Sequence, residues 1–139
     1  MFACGKPQHM TFKSVTSRNQ AYTLEIPNGY AEYKCYDDLL SYNGNNNHTI
    51  ISIMELPIGE TLSSYSERKQ DNSFTYDYLA NTPTTIIRKM TRGTNMWSAY
   101  EFYGIKDVNG TTYLVQISSD TMSKDYLEEA FNHMMETLR

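Results

Sequence analysis

The sequence predicts an α+β fold: a twisted antiparallel β-sheet of six to seven strands, with a short mid-chain helix and a C-terminal helix packed on it. Three observations carry this. Stretches such as Ala21–Ile26 and Tyr30–Tyr36 alternate apolar and polar residues at the period of a strand. Leu127, Ala130, Phe131, Met134 and Leu138 repeat at helical spacing. Between them, Asp107-Val-Asn-Gly110 is a hairpin signal, because Asn-Gly suits a type I′ turn.

In order along the chain, Tyr22, Leu24 and Ile26 alternate with Thr23 and Glu25, and Pro27-Asn-Gly29 then turns the backbone. A second strand over Tyr30–Tyr36 carries charge on its polar face, so both strands are expected in one sheet with a wet side. Leu39–Tyr42 and Thr49–Leu56 flank Asn43-Gly-Asn-Asn-Asn47, residues that tolerate positive φ, which predicts a long hairpin. Ile50-Ile-Ser-Ile-Met54 is apolar at both alternations and is expected in a central strand covered above and below. Leu62, Tyr65 and Lys69 mark a short helix within Glu60–Gln70, with a capping box over Ser64–Glu67 if it starts late. Asp71–Pro83 reads as an irregular connection anchored by Phe74, Tyr76 and Tyr78, with a helical turn around Tyr76–Asn81. Thr84–Arg92, Asn95–Lys106 and Thr111–Ser118 read as a three-stranded meander. Ser123 then caps the last helix, with Asp125 near its positive end and Arg139 near its negative end.

A chain of 139 residues fits one domain, here residues 18–139, preceded by residues 1–17 as a tail or tether. The formal charge of −4 argues against a nucleic-acid or anionic-membrane partner, which demands a local excess of Lys and Arg. Arg88, Lys89 and Arg92 are the one basic stretch; strand alternation separates Lys89 from the other two, and such charge reads as a solvated face. No run of apolar residues is long enough to cross a bilayer as a helix. The segment Met1-Phe-Ala-Cys4 followed by Gly5 has the form that ends a bacterial lipoprotein signal, although the residues before Cys4 supply no charged or apolar region of their own. Were Cys4 the first residue of a mature chain, it would carry lipid and place the protein at the cell envelope, periplasmic or at the surface. A disulfide between Cys4 and Cys35, or two free thiols in a reducing cytoplasm, are the alternatives. Two sequons, at Asn47 and Asn109, read as loop chemistry.

The chemistry-bearing residues form no recognisable catalytic pattern. His9, His48 and His133 lie in a tail, a loop and a helix, without metal-ligand spacing, and no Cys-x-x-Cys occurs. Asp37-Asp38, even beside the Asn-rich loop, reads as a solvated corner better than as a calcium site. No nucleophile elbow, phosphate loop or dinucleotide fingerprint is present, so no cofactor and no enzymatic activity are expected. Cys35 or an aspartate found beside a histidine in a cleft would reopen that question.

What remains is aromatic. Twelve Tyr, five Phe and one Trp make 13% of the chain. Tyr brings large apolar area, few rotors and a polar tip, the properties favoured in contact surfaces. Trp97, Tyr100 and Tyr103 with Tyr76 and Tyr78 are the expected cluster, and Asp37, Asp38, Glu55 and Glu60 supply acidity. The expected function is capture of another protein, one version being an immunity protein that neutralises a basic toxin. The alternative is a small-ligand protein whose aromatics line a lipid or sugar pocket.

Three features carry a resemblance: Tyr22-Thr-Leu-Glu-Ile-Pro-Asn-Gly-Tyr30, a strand ending in a Pro-x-Gly-aromatic turn; Ile50-Ile-Ser-Ile-Met-Glu-Leu56 leading into a helix; and a late hairpin before a terminal helix. Over about Gln20–Leu138 the chain resembles the PsbP-like superfamily, which includes the DcrB-type bacterial lipoproteins, with Tyr30 standing where many relatives carry Trp. The resemblance implies a curved sheet flanked by helices in a binding or assembly accessory, and it brings no catalytic residues.

Overall fold

The computed structural model describes residues 10–93 and 97–139. Cys4 and His9 lie outside them, as does the start of the strand expected from Asn95. The elements are β1 (Phe12–Thr16), β2 (Thr23–Pro27), β3 (Ala31–Cys35), β4 (Leu40–Gly44), β5 (Thr49–Glu55), α1 (Leu62–Arg68), β6 (Phe74–Asn81), β7 (Thr85–Arg92), β8 (Trp97–Val108), β9 (Thr111–Ser119) and α2 (Lys124–Thr137). Strands β3 to β9 form one antiparallel sheet of seven in the order β3-β4-β5-β9-β8-β7-β6, and β1 and β2 pair in a second sheet. The α+β class and the packed helices are as the sequence implies.

Local chemistry explains most boundaries. Asn109 and Gly110 take φ of 51° and 87°, the type I′ turn that joins the two longest strands. Asn45, Asn46 and Asn47 all adopt positive φ in the β4–β5 hairpin, the conformation asparagine tolerates. Thr61, not Ser64, caps α1: its hydroxyl accepts from Ser64 N–H at 3.1 Å while Ser64 Oγ accepts from Thr61 N–H at 2.9 Å. Ser123 caps α2 by accepting from Tyr126 N–H at 3.1 Å.

Three expectations need correction. Residues 74–81 are an edge strand, not a connection with a helical turn; Phe74, Tyr76, Tyr78 and Ala80 are half-buried and their neighbours exposed, so the period is two. Strands β2 and β3 do not share a sheet. Phe12–Thr16, within the stretch expected to be tail, pairs with β2 instead, and its apolar residues Phe12 and Val15 are spaced too irregularly to announce a strand. Strand β5 is interior, paired with β4 and β9, but it is not covered on both faces: Ile50 is 42% exposed, since no element among the described residues lies over that end of β5.

The registers sort side chains onto two faces. On one, Leu40, Tyr42, Ile51, Ile53, Phe102, Val115 and Ile117 meet Leu127, Ala130, Phe131 and Met134 of α2 together with Leu24 and Ile26 of β2. The C-terminal residue ties this layer down, since Thr23 N–H and Arg139 N–H donate to each other's carbonyls at 2.8 and 3.0 Å. Among the described residues the other face is covered at one end only, where Leu62 and Tyr65 of α1 pack on Ile86, Tyr103 and Leu114.

Candidate functional site

Strand alternation sends Glu101 and Tyr103 of β8, Gln116 and Ser118 of β9, Ser52 and Met54 of β5 and Ser41 of β4 to the face away from α2. Because α1 is only seven residues long, the remainder of this face is left uncovered by the described residues. Two adjoining depressions result. One, about 380 Å³, lies beside α1 between Lys34, Ser52, Met54, Tyr65 and Gln116. The second, about 290 Å³, lies beyond it between Ile50, Met90, Trp97, Ser118 and Asp120. Glu101 walls both. Ser41, Ser52, Gln116 and Ser118 carry no individual signal in the sequence; small polar residues at alternate strand positions look like any wet face, and only the shortness of α1 turns them into a floor.

Glu101 is held by the most buried charge in the core. Arg88 on β7 is fully enclosed, and its Nε donates to Glu101 Oε1 at 2.6 Å. Its Nη1 donates to Ser66 O at 2.9 Å and to Tyr78 Oη at 3.2 Å, and its Nη2 to Tyr103 Oη at 3.4 Å. The Tyr76 ring lies 4.5 Å from the guanidinium carbon, a cation–π contact. Burial alone would lower the Arg88 pKa; the Glu101 bond and its charge outweigh this and hold it above the ordinary arginine value. Reading Arg88 as part of a solvated basic face is therefore wrong: register places it on the same face as Ile86 and Met90, under α1. Tyr103 is 1% exposed, and burial pushes its phenol upward. It is a wall of the site and offers no contact area.

At the far end of the open face, Asp120 accepts from Trp97 Nε1–H at 2.9 Å and pairs with His48 Nδ1 at 2.9 Å. Here an aspartate does sit beside a histidine at the rim of a depression. Among the described residues the outer nitrogen of His48 meets no hydroxyl or thiol, and Ser119 Oγ is engaged by Thr49 at 2.9 Å and by Met122 N–H at 3.0 Å. Desolvation acts to raise the Asp120 carboxyl, but the bonds from Trp97 and His48 prevail and hold it below its ordinary value. A depressed folded pKa adds stability above the unfolded value of 3.8 that is lost as pH falls through the folded one. Trp97 is the single tryptophan. Its fluorescence should therefore titrate with a midpoint below 3.8 while the chain is still folded, and Asp120→Asn should abolish that step.

The remaining expected residues divide. Trp97 packs at a tilt against Phe74, ring centres 5.4 Å apart, while Tyr76 and Tyr78 flank Arg88, so all three share the open face. Tyr100 does not join them; it lies on the α2 face, with Lys89 Nζ 5.8 Å from its ring. Asp38 is used internally, accepting from Glu55 N–H at 3.0 Å. Glu60 is neutralised by Arg68, whose Nε donates to it at 3.2 Å, and this bond holds the carboxyl below its ordinary range. Asp37 and the Glu55 side chain stay exposed. Cys35 on β3 lends its thiol to Ser41 O at 3.8 Å.

No family model and no curated protein matches the sequence. Solved structures do match in shape. The chain resembles the cyanobacterial PsbP (CyanoP) of Synechocystis sp. PCC 6803 with a TM-score of 0.60 at 11% identity, covering 98% of this chain and 96% of that one. It also resembles the Ran-binding protein Mog1p of Saccharomyces cerevisiae, with a TM-score of 0.57 at 13% identity, covering 94% of this chain and 96% of that one. Likeness of this extent at such low identity is a likeness of fold, and the fold of this chain is PsbP-like.

Proposed function

We propose that this chain is a non-enzymatic accessory protein that captures another protein on the open face of its seven-stranded sheet. The observation that carries the reading is that face itself: two adjoining depressions with mixed apolar and polar lining and aromatic margins, over which no element of the described residues lies. Mog1p, a Ran-binding protein of the same fold, is an example of this architecture serving a protein partner. The small-ligand reading has less support, because Tyr76, Tyr78 and Tyr103 surround Arg88 where an aromatic pocket would need space. We further propose a DcrB-type lipoprotein, tethered through lipid on Cys4 at a bacterial envelope, and an immunity role against a basic toxin as the specific form. Asp37 and Glu55 are the acids left to steer such a partner.

Photo-crosslinking in the producing cells tests the capture surface. A benzoyl-phenylalanine at Ile50 or Met54 should yield one discrete protein adduct, whereas Asn132 and Glu136 on the exposed side of α2 should yield none. Adducts from both faces, or from neither, would reject it, and a small molecule retained in native mass spectrometry would favour the ligand reading. Mass analysis of the Cys4 peptide decides the tether: a diacyl or triacyl adduct is expected, and a free thiol moves the protein to the cytoplasm. If the partner is basic, the association rate should fall at least about tenfold between 0.05 and 0.5 M salt.

A further inference from the structure

We infer that the outer edge of β6 is a self-association site, at which two copies of this chain pair edge to edge about a twofold axis. The two ends of the large sheet are built differently. The β3 edge is five residues long, is bulged between Glu32 and Lys34 and carries both charges, the devices that keep an edge from pairing. The β6 edge has eight residues, no Lys or Pro, and a single charge at Asp77. Its irregularity falls between Tyr78 and Ala80, which leaves Phe74–Tyr78 regular.

Hydrogen-bond phase fixes what this edge offers. Thr82 N–H donates to Thr85 O at 2.9 Å at the base of the β6–β7 turn. Alternation along β7 from Thr85 turns Ile87, Lys89 and Thr91 toward β6, and because the irregularity between Tyr78 and Ala80 shifts the phase of β6, their partners beyond it are Asp77 and Thr75; the backbone groups of Tyr76 and Tyr78 therefore point outward. Phe74 turns its carbonyl outward, its N–H being taken by Asp71 O at 3.0 Å. The side chains beside this edge are already fixed. Phe74 packs against Trp97, Tyr76 accepts from Asp71 N–H at 2.9 Å, and Tyr78 accepts from Gln70 at 2.8 Å. Little rotamer entropy remains to be lost on pairing.

Charge selects the register. An antiparallel twofold centred on Asp77 would set two carboxylates directly opposite, which is unfavourable. Centred on Tyr76, it exchanges hydrogen bonds between the two Tyr76 residues and joins each Tyr78 N–H to the other copy's Phe74 carbonyl. Phe74 then faces Tyr78, Tyr76 faces Tyr76, and Asp77 faces Thr75. The aromatic row is thus complementary to itself, as an isologous contact requires. The axis is normal to the sheet, so the two open faces become one surface. The inference is independent of what that surface binds.

Sedimentation velocity from about 1 µM to about 1 mM reads the dimer, with the amide shift of Tyr76 as a local reporter. Thr75 is exposed and faces Asp77 across the axis, so two substitutions there should act in opposite directions. Thr75→Asp should raise the dissociation constant about five- to tenfold, and Thr75→Lys should lower it by a similar factor at low salt, a gain lost near 0.5 M NaCl. A wild-type chain that stays monomeric throughout, or variants that shift alike, would overturn the proposal; a monomer would leave this edge to a strand of another protein.

Discussion

Replacing Arg88 by methionine is expected to destabilise the fold by about 3–5 kcal/mol, seen as a lower urea midpoint and a melting temperature roughly 10–17 °C lower. The loss is not that of a favourable ion pair. Bringing the guanidinium and the Glu101 carboxylate out of water costs much of what their attraction returns, so the intact pair contributes little net stability. Its removal from one side does the damage: Glu101, with a side chain 14% exposed, loses the partner of Oε1, and Ser66 O and the Tyr78 and Tyr103 hydroxyls lose a donor. Arg88→Met with Glu101→Leu removes both charges and should return stability to within about 1–2 kcal/mol of wild type. If the double variant is as unstable as the single, the pair is not what makes Arg88 indispensable, and contact with the tyrosine rings must be. The double variant should also lose partner capture, because Glu101 walls both depressions of the open face.

The same residue marks where the sequence is silent. Arg88 sits between Lys89 and Ile87, and a charge in a strand that ends in Arg92 looks solvated. Its burial is decided by α1, which crosses the sheet from a connection distant in the chain. Elements whose pairing is local were legible: the β8–β9 hairpin from Asn109-Gly110, α2 from its stripe and its Ser123 cap, and the β4–β5 hairpin from its asparagines. Strand β6 was legible in principle, since Phe74, Tyr76 and Tyr78 alternate, but flanking turn residues obscured the period. Strand β1 was not, because two apolar residues do not make a pattern and its partner β2 reads equally well as belonging to the main sheet. For the site, the aromatics Tyr76, Tyr78 and Trp97 announced themselves by type. The polar floor of Ser41, Ser52, Gln116 and Ser118 did not, since its meaning lies in what fails to cover it.

Phe131→Ala should cost about 3–5 kcal/mol, and its combination with Gly104→Ala should cost less than the two changes separately. Phe131 is 3% exposed and packs at a tilt against Phe102, ring centres 5.6 Å apart, at the place where α2 meets β8. Gly104 makes that approach possible: a Cβ there would lie 2.6 Å from Phe131 Cζ and 2.9 Å from Met135 Sδ. Its φ is not in the left-handed region, so alanine meets no backbone penalty and would by itself gain a few tenths of a kcal/mol by restricting the unfolded chain. Any loss in Gly104→Ala is therefore steric, about 2–3 kcal/mol of overpacking. Truncating Phe131 clears the nearest clash and leaves only the flexible Met135 to move, so in that background the added methyl should be nearly neutral. A coupling of about 1–2 kcal/mol in this cycle, read from urea midpoints, would assign the close packing of α2 to the missing side chain at Gly104. Strict additivity would mean that α2 shifts as a body to admit the methyl. The bond from Lys106 Nζ to Met135 O, 2.7 Å long, would then have to break as well, and Lys106→Met should weaken the fold only in wild type.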